Sequence, residues 1–351
     1  MVSSRRWFAI GDPQTTFERF RGILGHHGLL DAAGNLRDEV GLVSMGDHFD
    51  FDHGKHDRTL EASGREGTQI LSWLAQHAPE QVVILMGNHD VARVMELAFE
   101  SDASFAEARA MAKSAPEAFF DAFPRIPKPD IALRDYASFA VHQRDLVQRL
   151  LLERRMLLAA VGYRDGRPLL MTHAGVTTGQ IDQLGASSEP RAIADALQRH
   201  LAKAVELVAA NWRNGELVAL DLRPLHVGGT SRQEGGGLLY QRVSRREDAS
   251  GRRFHPHALP RGLAQVWGHT GHHKCKEELE DAWIADDARA RPRGGLRTLA
   301  VDASGIRYTA RVEPAREDAA TVYMIDIEMS RPEVTDLPLL ELDAVEHGAL
   351  P

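Results

Sequence analysis

The chain has 351 residues, of which 43% are hydrophobic and 26% are charged, and its formal net charge is -8 at pH 7. This length is enough for one large α/β domain, or two small ones, with a substantial core. The negative charge argues against a nucleic-acid backbone as the main partner, because such binding needs a dense cationic surface.

Cys275 is the only cysteine, so the chain forms no intrachain disulfide and fits a reducing compartment. No apolar run approaches the length of a membrane-spanning helix. We therefore expect a cytoplasmic protein that does not bind membranes. The sequence does not specify an oligomeric state.

The first ninety residues contain three apolar, strand-like segments, each followed by a glycine and a polar residue. These segments are residues 7–11, the run that ends at Gly46, and residues 82–86. They lead into Asp12, Asp47 and the pair Asn88-His89. Two helices are predicted between them, one directly after Asp12 and one over 59–77, which gives a β-α-β-α-β order. Because the carboxyl ends of the strands in such folds lie at one edge of the sheet, we expect the polar residues after the three strands to form one site.

Residues 91–160 carry mostly helical patterns, and we predict a helical insertion there. Strand patterns then resume, and two further strands end in His173 and in Gly268-His269. The fold class predicted from this order is α/β, with ligand-type side chains at five strand ends.

Four other segments have distinct patterns. Residues 191–212 form an amphipathic stripe that is typical of core packing. The glycine-rich stretch 228–237 predicts a mobile loop. The segment 52–57 is rich in His and Asp, and we expect it on the rim of the site. We interpret residues 1–330 as a single domain and 331–351 as a C-terminal tail that is either attached to the domain or disordered.

Five short blocks carry the candidate chemistry. In chain order they are Gly11-Asp12-x-Gln14, Gly46-Asp47-x-x-Asp50, Gly87-Asn88-His89-Asp90, Thr172-His173-Ala174-Gly175 and Gly268-His269-Thr270. Together they resemble the blocks of the calcineurin-like metallophosphoesterase superfamily, most closely its bacterial phosphoprotein-phosphatase-type (Ser/Thr phosphatase-like) members. The resemblance spans residues 11–272. It implies a metallophosphoesterase fold, a central two-sheet β sandwich flanked by helices.

The ligand types in these blocks suit a hard or borderline metal ion. Carboxylates, imidazoles and an amide oxygen favour Mn²⁺, Fe or Zn²⁺, and no thiolate is placed to select a softer ion. The resemblance implies two divalent ions and a hydroxide shared between them that attacks phosphorus. It assigns Asp12 to the first ion, Asp47 to both ions, and Asn88, His173 and His269 to the second.

The resemblance also implies two catalytic roles. His89 corresponds to the general acid that protonates the leaving oxygen, and Asp50 to the carboxylate that orients His89. Both follow from their positions in the second and third blocks.

The first metal site departs from the family pattern at two positions. Gln14 replaces a histidine, and a neutral amide oxygen is a weaker ligand for Zn²⁺ or Fe, so Mn²⁺ is the expected cofactor and partial occupancy is a second possibility. Gly271 stands where many relatives have another histidine. His272 either takes that place through a loop adjustment or is a histidine at the start of a helix.

The phosphate grip departs from the pattern as well. Phe51 stands where phosphoprotein phosphatases carry an arginine after the second block. A phosphate needs cationic donors, preferably in bidentate geometry. The candidates for substrate binding are Arg93, Arg232 and Arg242.

These observations predict a metal-dependent hydrolase of a phosphomonoester carried by a protein or a small metabolite. One alternative is hydrolysis of dinucleoside polyphosphates or other phosphoanhydrides. Another is a catalytically degenerate protein that binds metal or a phosphorylated ligand, which the changes at Gln14 and Phe51 would permit.

Overall fold

The computed structural model describes residues 5–51, 60–330 and 333–346. The predicted rim segment 52–57 lies outside these residues. The strands are β1 Arg6–Ile10, β2 Val40–Ser44, β3 Val82–Leu85, β4 Met156–Leu157, β5 Ala159–Arg164, β6 Arg167–Thr172, β7 His226–Val227, β8 Gly236–Gly237, β9 Arg242–Val243, β10 Arg253–Phe254, β11 Ala264–Trp267, β12 Arg297–Asp302, β13 Gly305–Thr309, β14 Ala320–Met324, β15 Leu340–Leu342 and β16 Ala344–Glu346.

The α-helices are α1 Phe17–His26, α2 Leu60–Gln76, α3 Asn88–Ala92, α4 Asp102–Ser114, α5 Pro116–Ala122, α6 Val141–Leu152, α7 Thr178–Leu184, α8 Pro190–Arg213, α9 His272–Glu278 and α10 Asp286–Ala290. Short 3₁₀ turns cover Pro256–Ala258, Asp281–Trp283 and Val334–Asp336, and a π-helical turn covers Ile131–Asp135. None of the helices in the described parts of the chain is long and apolar enough to cross a membrane.

Two mixed sheets form the centre of the molecule. The first has the order β15-β1-β2-β3-β4, in which β1 to β4 run parallel. The second has the order β13-β12-β14-β11-β6-β5-β16, with β14, β11 and β6 parallel. The α/β class predicted from the sequence is confirmed.

Alternating side chains of the strands build a core on both faces of the first sheet. Trp7 and Ala9 of β1 pack with Met171 of β6 and Val266 of β11, so one core lies between the two sheets. Their neighbours Phe8 and Ile10 face the opposite way and pack with α1 and α2. Strands buried on both faces appear as nearly continuous apolar runs, which is why these segments were recognisable in the sequence.

The C-terminal segment contributes one strand to each sheet. β15 pairs antiparallel with β1, and β16 pairs antiparallel with β5. The described part of this segment is therefore attached along the edges of both sheets.

Two local predictions differ in detail from the structure. Helix α1 begins after Thr16, whose hydroxyl accepts from the Arg19 N–H, and not immediately after Asp12. The glycine-rich stretch is bonded to the insertion instead of projecting as a mobile loop. Its Ser231 N–H donates to Pro124 O at 2.6 Å and its Arg232 N–H to Pro127 O at 3.0 Å. Pattern analysis did not detect these contacts because they join segments a hundred residues apart.

Candidate metal centre

The carboxyl ends of parallel strands from both sheets meet at one edge of the sandwich. Here the backbone departs from extended geometry: Gly46 has φ 97°, Asp47 φ 58° and His269 φ 61°. Gly46 must lack a side chain, because a Cβ would come within 2.5 Å of the Gly87 nitrogen. Left-handed conformations at non-glycine residues carry strain, which is concentrated in proteins at functional sites.

His173 lies at the centre of a convergent group of ligand atoms. Its Nδ1 lies 2.8 Å from the Met45 carbonyl oxygen, which requires Nδ1 to carry the proton of a neutral ring and leaves a lone pair on Nε2. Around Nε2 lie Asn88 Oδ1 at 3.1 Å, His269 Nδ1 at 3.1 Å and Asp47 Oδ2 at 3.4 Å. All four side chains are buried.

This arrangement fits a metal ion. The atoms of Asp47, His173 and His269 lie within 4.8 Å of one another. When His173 is neutral, a carboxylate, an amide oxygen and two imidazoles place lone pairs close together, and a shared cation would satisfy all of them at once. The bond from His173 to Met45 is the outer contact that typically fixes the tautomer of a metal-binding histidine.

The charges within the cluster shift the pKa values of its members. Burial disfavours the imidazolium of His173, but the Asp47 carboxylate outweighs burial and raises the pKa of His173 to about 9. Burial alone would raise the pKa of Asp47, whereas His173 and then His89 hold it far below the usual range. Metal binding therefore has to displace a proton, which makes affinity fall at low pH.

Asp12 and Gln14 lie next to this group with different contacts. Both Asp12 carboxylate oxygens accept from the His269 N–H at 3.0 Å, and burial, followed by the charge of Asp326, raises the pKa of Asp12 well above its usual value. The Gln14 amide nitrogen donates to Phe49 O at 2.9 Å. The predicted first metal position is thus supported by fewer convergent ligands than the second.

His272 does not join the metal cluster. Its Nδ1 lies 2.7 Å from the Tyr308 hydroxyl, and its Nε2 lies 3.1 Å from the Ala288 carbonyl oxygen. Both ring nitrogens are engaged, Nδ1 by β13 and Nε2 by α10. The structure does not place His272 at the first metal position, as the loop-adjustment alternative required. It agrees with the other alternative, a histidine at the start of a helix.

The predicted pair His89 and Asp50 is present beside the cluster. His89 Nδ1 and Asp50 Oδ2 are 2.9 Å apart, and His89 Nε2 is 3.9 Å from Asp47 Oδ2. Burial opposes the charged form of His89, but Asp47 and the bond to Asp50 raise its pKa to about 9. His89 thus has the geometry of a proton donor that faces the Asp47 carboxylate.

Two of the three candidate arginines are not placed to grip a phosphate. Arg93 is fully buried and forms an ion pair with Asp50 at 2.6 Å, so it lies behind the His89-Asp50 pair. Arg232 is exposed, and its guanidinium lies 3.9 Å from the ring centre of Phe120 on the insertion. Their sequence positions did not reveal where the two guanidinium groups lie, because each arginine side chain spans several ångströms.

Arg242, the third candidate arginine, interacts electrostatically with the cluster. Its charge acts on both His269 and Asp47 and lowers the pKa of His269, after burial. Its Nε is buried and has no hydrogen-bond partner among the described residues. A buried donor of this kind is costly unless a ligand satisfies it.

Several residues that support the site were missed in the sequence. Asp90, the last residue of the third block, accepts from the Asp47 N–H at 3.0 Å, the His48 N–H at 3.1 Å and the Gly87 N–H at 2.8 Å. Ser138, from the insertion, donates its hydroxyl to Asp50 at 2.6 Å. The position of Asp90 next to His89 was a usable signal, whereas nothing in the sequence connects Ser138 to the site.

No protein-family model and no curated protein matches the chain. Among solved structures, the chain is similar to two structures of a cold-active protein tyrosine phosphatase, one of them a point mutant. The mutant aligns at 16% identity over 59% of this chain and 49% of that chain, with a TM-score of 0.30. The other aligns at 15% identity over 77% of this chain and 68% of that chain, with a TM-score of 0.39. This chain spans only about half the length of the first, and at these TM-scores the likeness establishes neither a shared fold nor a shared activity.

Proposed function

We propose that this protein is a metal-dependent phosphoester hydrolase of the calcineurin-like type that acts on a phosphomonoester. The observation that carries the proposal is the convergence of Asp47, Asn88 and His269 on His173 Nε2, directly beside the His89-Asp50 pair. This chemistry has two requirements, metal ligands and a positioned proton donor. Both would be met by buried side chains at this one edge of the sheets.

Asp47, Asn88, His173 and His269 would hold one ion, and Asp12 with Asp47 would hold a second, more weakly. Mn²⁺ fits this mixture of oxygen and nitrogen donors. When bound, divalent ions supply Lewis-acid charge for the phosphoryl oxygens and an activated water.

The remaining tasks belong to side chains of the chain itself. His89 donates a proton to the leaving oxygen, and Asp50 holds the ring of His89 in position through Nδ1. Arg242 supplies the free cationic donor that the phosphate needs, in place of the arginine that Phe51 replaces. The substrate partner is therefore a phosphorylated molecule, either a protein or a small metabolite.

Hydrolysis of p-nitrophenyl phosphate with added Mn²⁺ tests this function. We expect turnover by the wild-type chain that disappears on chelation and falls at least about 100-fold in Asp47→Asn. Asp145→Asn, a change at an exposed residue, is the matched control and keeps full activity. Metal binding without turnover by the wild type would support the non-enzymatic alternative, and a comparison of phosphopeptide with diadenosine tetraphosphate separates the two hydrolase readings.

A further inference from the structure

Arg93 is a fully buried cation whose donors all point into the protein. Its Nη2 forms the ion pair with Asp50 Oδ2 at 2.6 Å, its Nη1 donates to the His89 carbonyl oxygen at 2.7 Å, and its Nε donates to Gln143 Oε1 at 3.1 Å. The guanidinium also lies 4.8 Å from the ring centre of Phe49. Burying a charge is expensive unless it is fully paired, and here the pairing is with the catalytic pair itself.

Asp50 in turn is held at both oxygens. Oδ2 receives His89 Nδ1 and the Arg93 charge, while Oδ1 receives the Ser138 N–H at 3.1 Å and the Ser138 hydroxyl at 2.6 Å. Burial would raise the pKa of Asp50, but Arg93 and His89 lower it to about 2. Rotation of the carboxylate would break at least two of these contacts.

Gln143 connects this group to the helical insertion. Its amide nitrogen donates to Ser138 O at 2.9 Å and to Gly64 O at 3.3 Å, and its amide oxygen receives Arg93. The insertion thus contributes Ser138 and Gln143 to the support of a pair that belongs to the α/β core.

We propose that Arg93 is a positioning residue for the proton-transfer step: it fixes the Asp50 carboxylate and the His89 backbone, so that the His89 ring is aimed at the leaving oxygen. Among the described residues, Arg93 bonds to the His89-Asp50 pair and to Gln143, and not to the side chains that converge on His173 Nε2. This inference rests on the proposed function and identifies which part of the reaction Arg93 serves.

The role predicts a dependence on the leaving group. An ester with a poor leaving group, such as an alkyl phosphate, needs protonation in the transition state, whereas p-nitrophenolate leaves without it. Arg93→Met should lower kcat for the alkyl ester about 100-fold and for p-nitrophenyl phosphate less than about 5-fold, with KM and bound metal unchanged.

Three further variants make the test decisive. Arg93→Lys keeps the charge but cannot reach Asp50 and His89 O together, so we expect an intermediate fall in kcat for the alkyl ester. If Arg93→Met does not fold, Arg93→Lys provides the same comparison of the two esters. Arg144→Met removes another buried arginine, which bonds to the carbonyl oxygens of Ala98 and Glu100, and should affect both esters equally and weakly. Added guanidinium should restore alkyl-ester turnover in Arg93→Ala.

Equal losses for both esters, or a raised KM with unchanged kcat, would overturn the positioning role. Absence of turnover by the wild-type protein with either ester would instead overturn the proposed function. The two failures are therefore distinguishable in the same set of assays.

Discussion

At the scale of single residues, the site combines a crowded group of ligand-type atoms with a buried arginine donor. His173 Nε2 lies among two acceptors and another imidazole, and the buried Arg242 Nε has no hydrogen-bond partner in the described parts of the chain. Such groups cost free energy in the folded protein unless a ligand satisfies them. They mark where a cation and an anion would bind next to each other.

Replacement of Arg242 tests the anion half of this pair. Arg242→Met should raise KM for a phosphomonoester about 10- to 100-fold, because a charge-assisted contact with a phosphate contributes roughly 1.5–3 kcal/mol. Arg232→Met, at the exposed arginine stacked on Phe120, should leave KM unchanged. Steady-state kinetics of the two variants make the comparison, and equal KM values for Arg242→Met and wild type would exclude Arg242 from substrate binding.

Replacement of Gln14 tests the proposed cation site. Because Gln14 offers only a neutral amide oxygen, the proposed first metal position would have few strong ligands, and we expect about one tightly held ion per chain after desalting. Gln14→His should raise this number towards two for Zn²⁺, measured by metal analysis, with Gln148→His on helix α6 as the control. Two tightly held ions in the wild type would show that the oxygen ligands suffice.

At the scale of elements, Asp90 at the start of α3 connects the ends of β2 and β3. Its carboxylate accepts three backbone N–H groups, two of them from the loop that carries Asp47. Hydrogen bonds to a buried charge contribute more than neutral ones, since the donors cannot turn to water. The short helix therefore fixes the left-handed backbone of Asp47 as well as presenting Asn88 and His89.

Asp90→Asn should consequently destabilise the fold by about 2–3 kcal/mol. The amide NH₂ of asparagine would face backbone N–H groups that need an acceptor. Urea unfolding measures the change, and Asp145→Asn on the surface of α6 should alter stability by less than about 0.5 kcal/mol. A neutral effect of Asp90→Asn would mean that the three bonds contribute little to the geometry of the loop.

The elements also show how far the sequence was informative. The strands that carry Asp12, Asp47, Asn88, His173 and His269 were predictable, because apolar runs buried on both faces end abruptly in glycine and a polar residue. The directions of long side chains were not predictable, and so Arg93 was one of three candidates for the phosphate although it lies behind Asp50. For His272 the sequence left two positions open, near the first metal or at the start of a helix, because the exact helix start decides where the ring points.

At the scale of the whole molecule, two sheets meet so that ligands from both reach one edge. Asp47 and Asn88 come from the first sheet, and His173 and His269 from the second. The helical insertion adds Ser138 and Gln143 behind Asp50 and also anchors the glycine-rich stretch. These long-range contacts are set by tertiary packing, and no local pattern in the sequence encodes them.

The metal cluster is the central claim, and anomalous diffraction from crystals grown with Mn²⁺ and phosphate tests it most directly. We expect an anomalous peak from Mn²⁺ within bonding distance of Asp47, Asn88, His173 Nε2 and His269 Nδ1. We also expect weaker density beside Asp12 and a phosphate that contacts Arg242. A peak elsewhere, or no peak at this cluster at millimolar Mn²⁺, would contradict it.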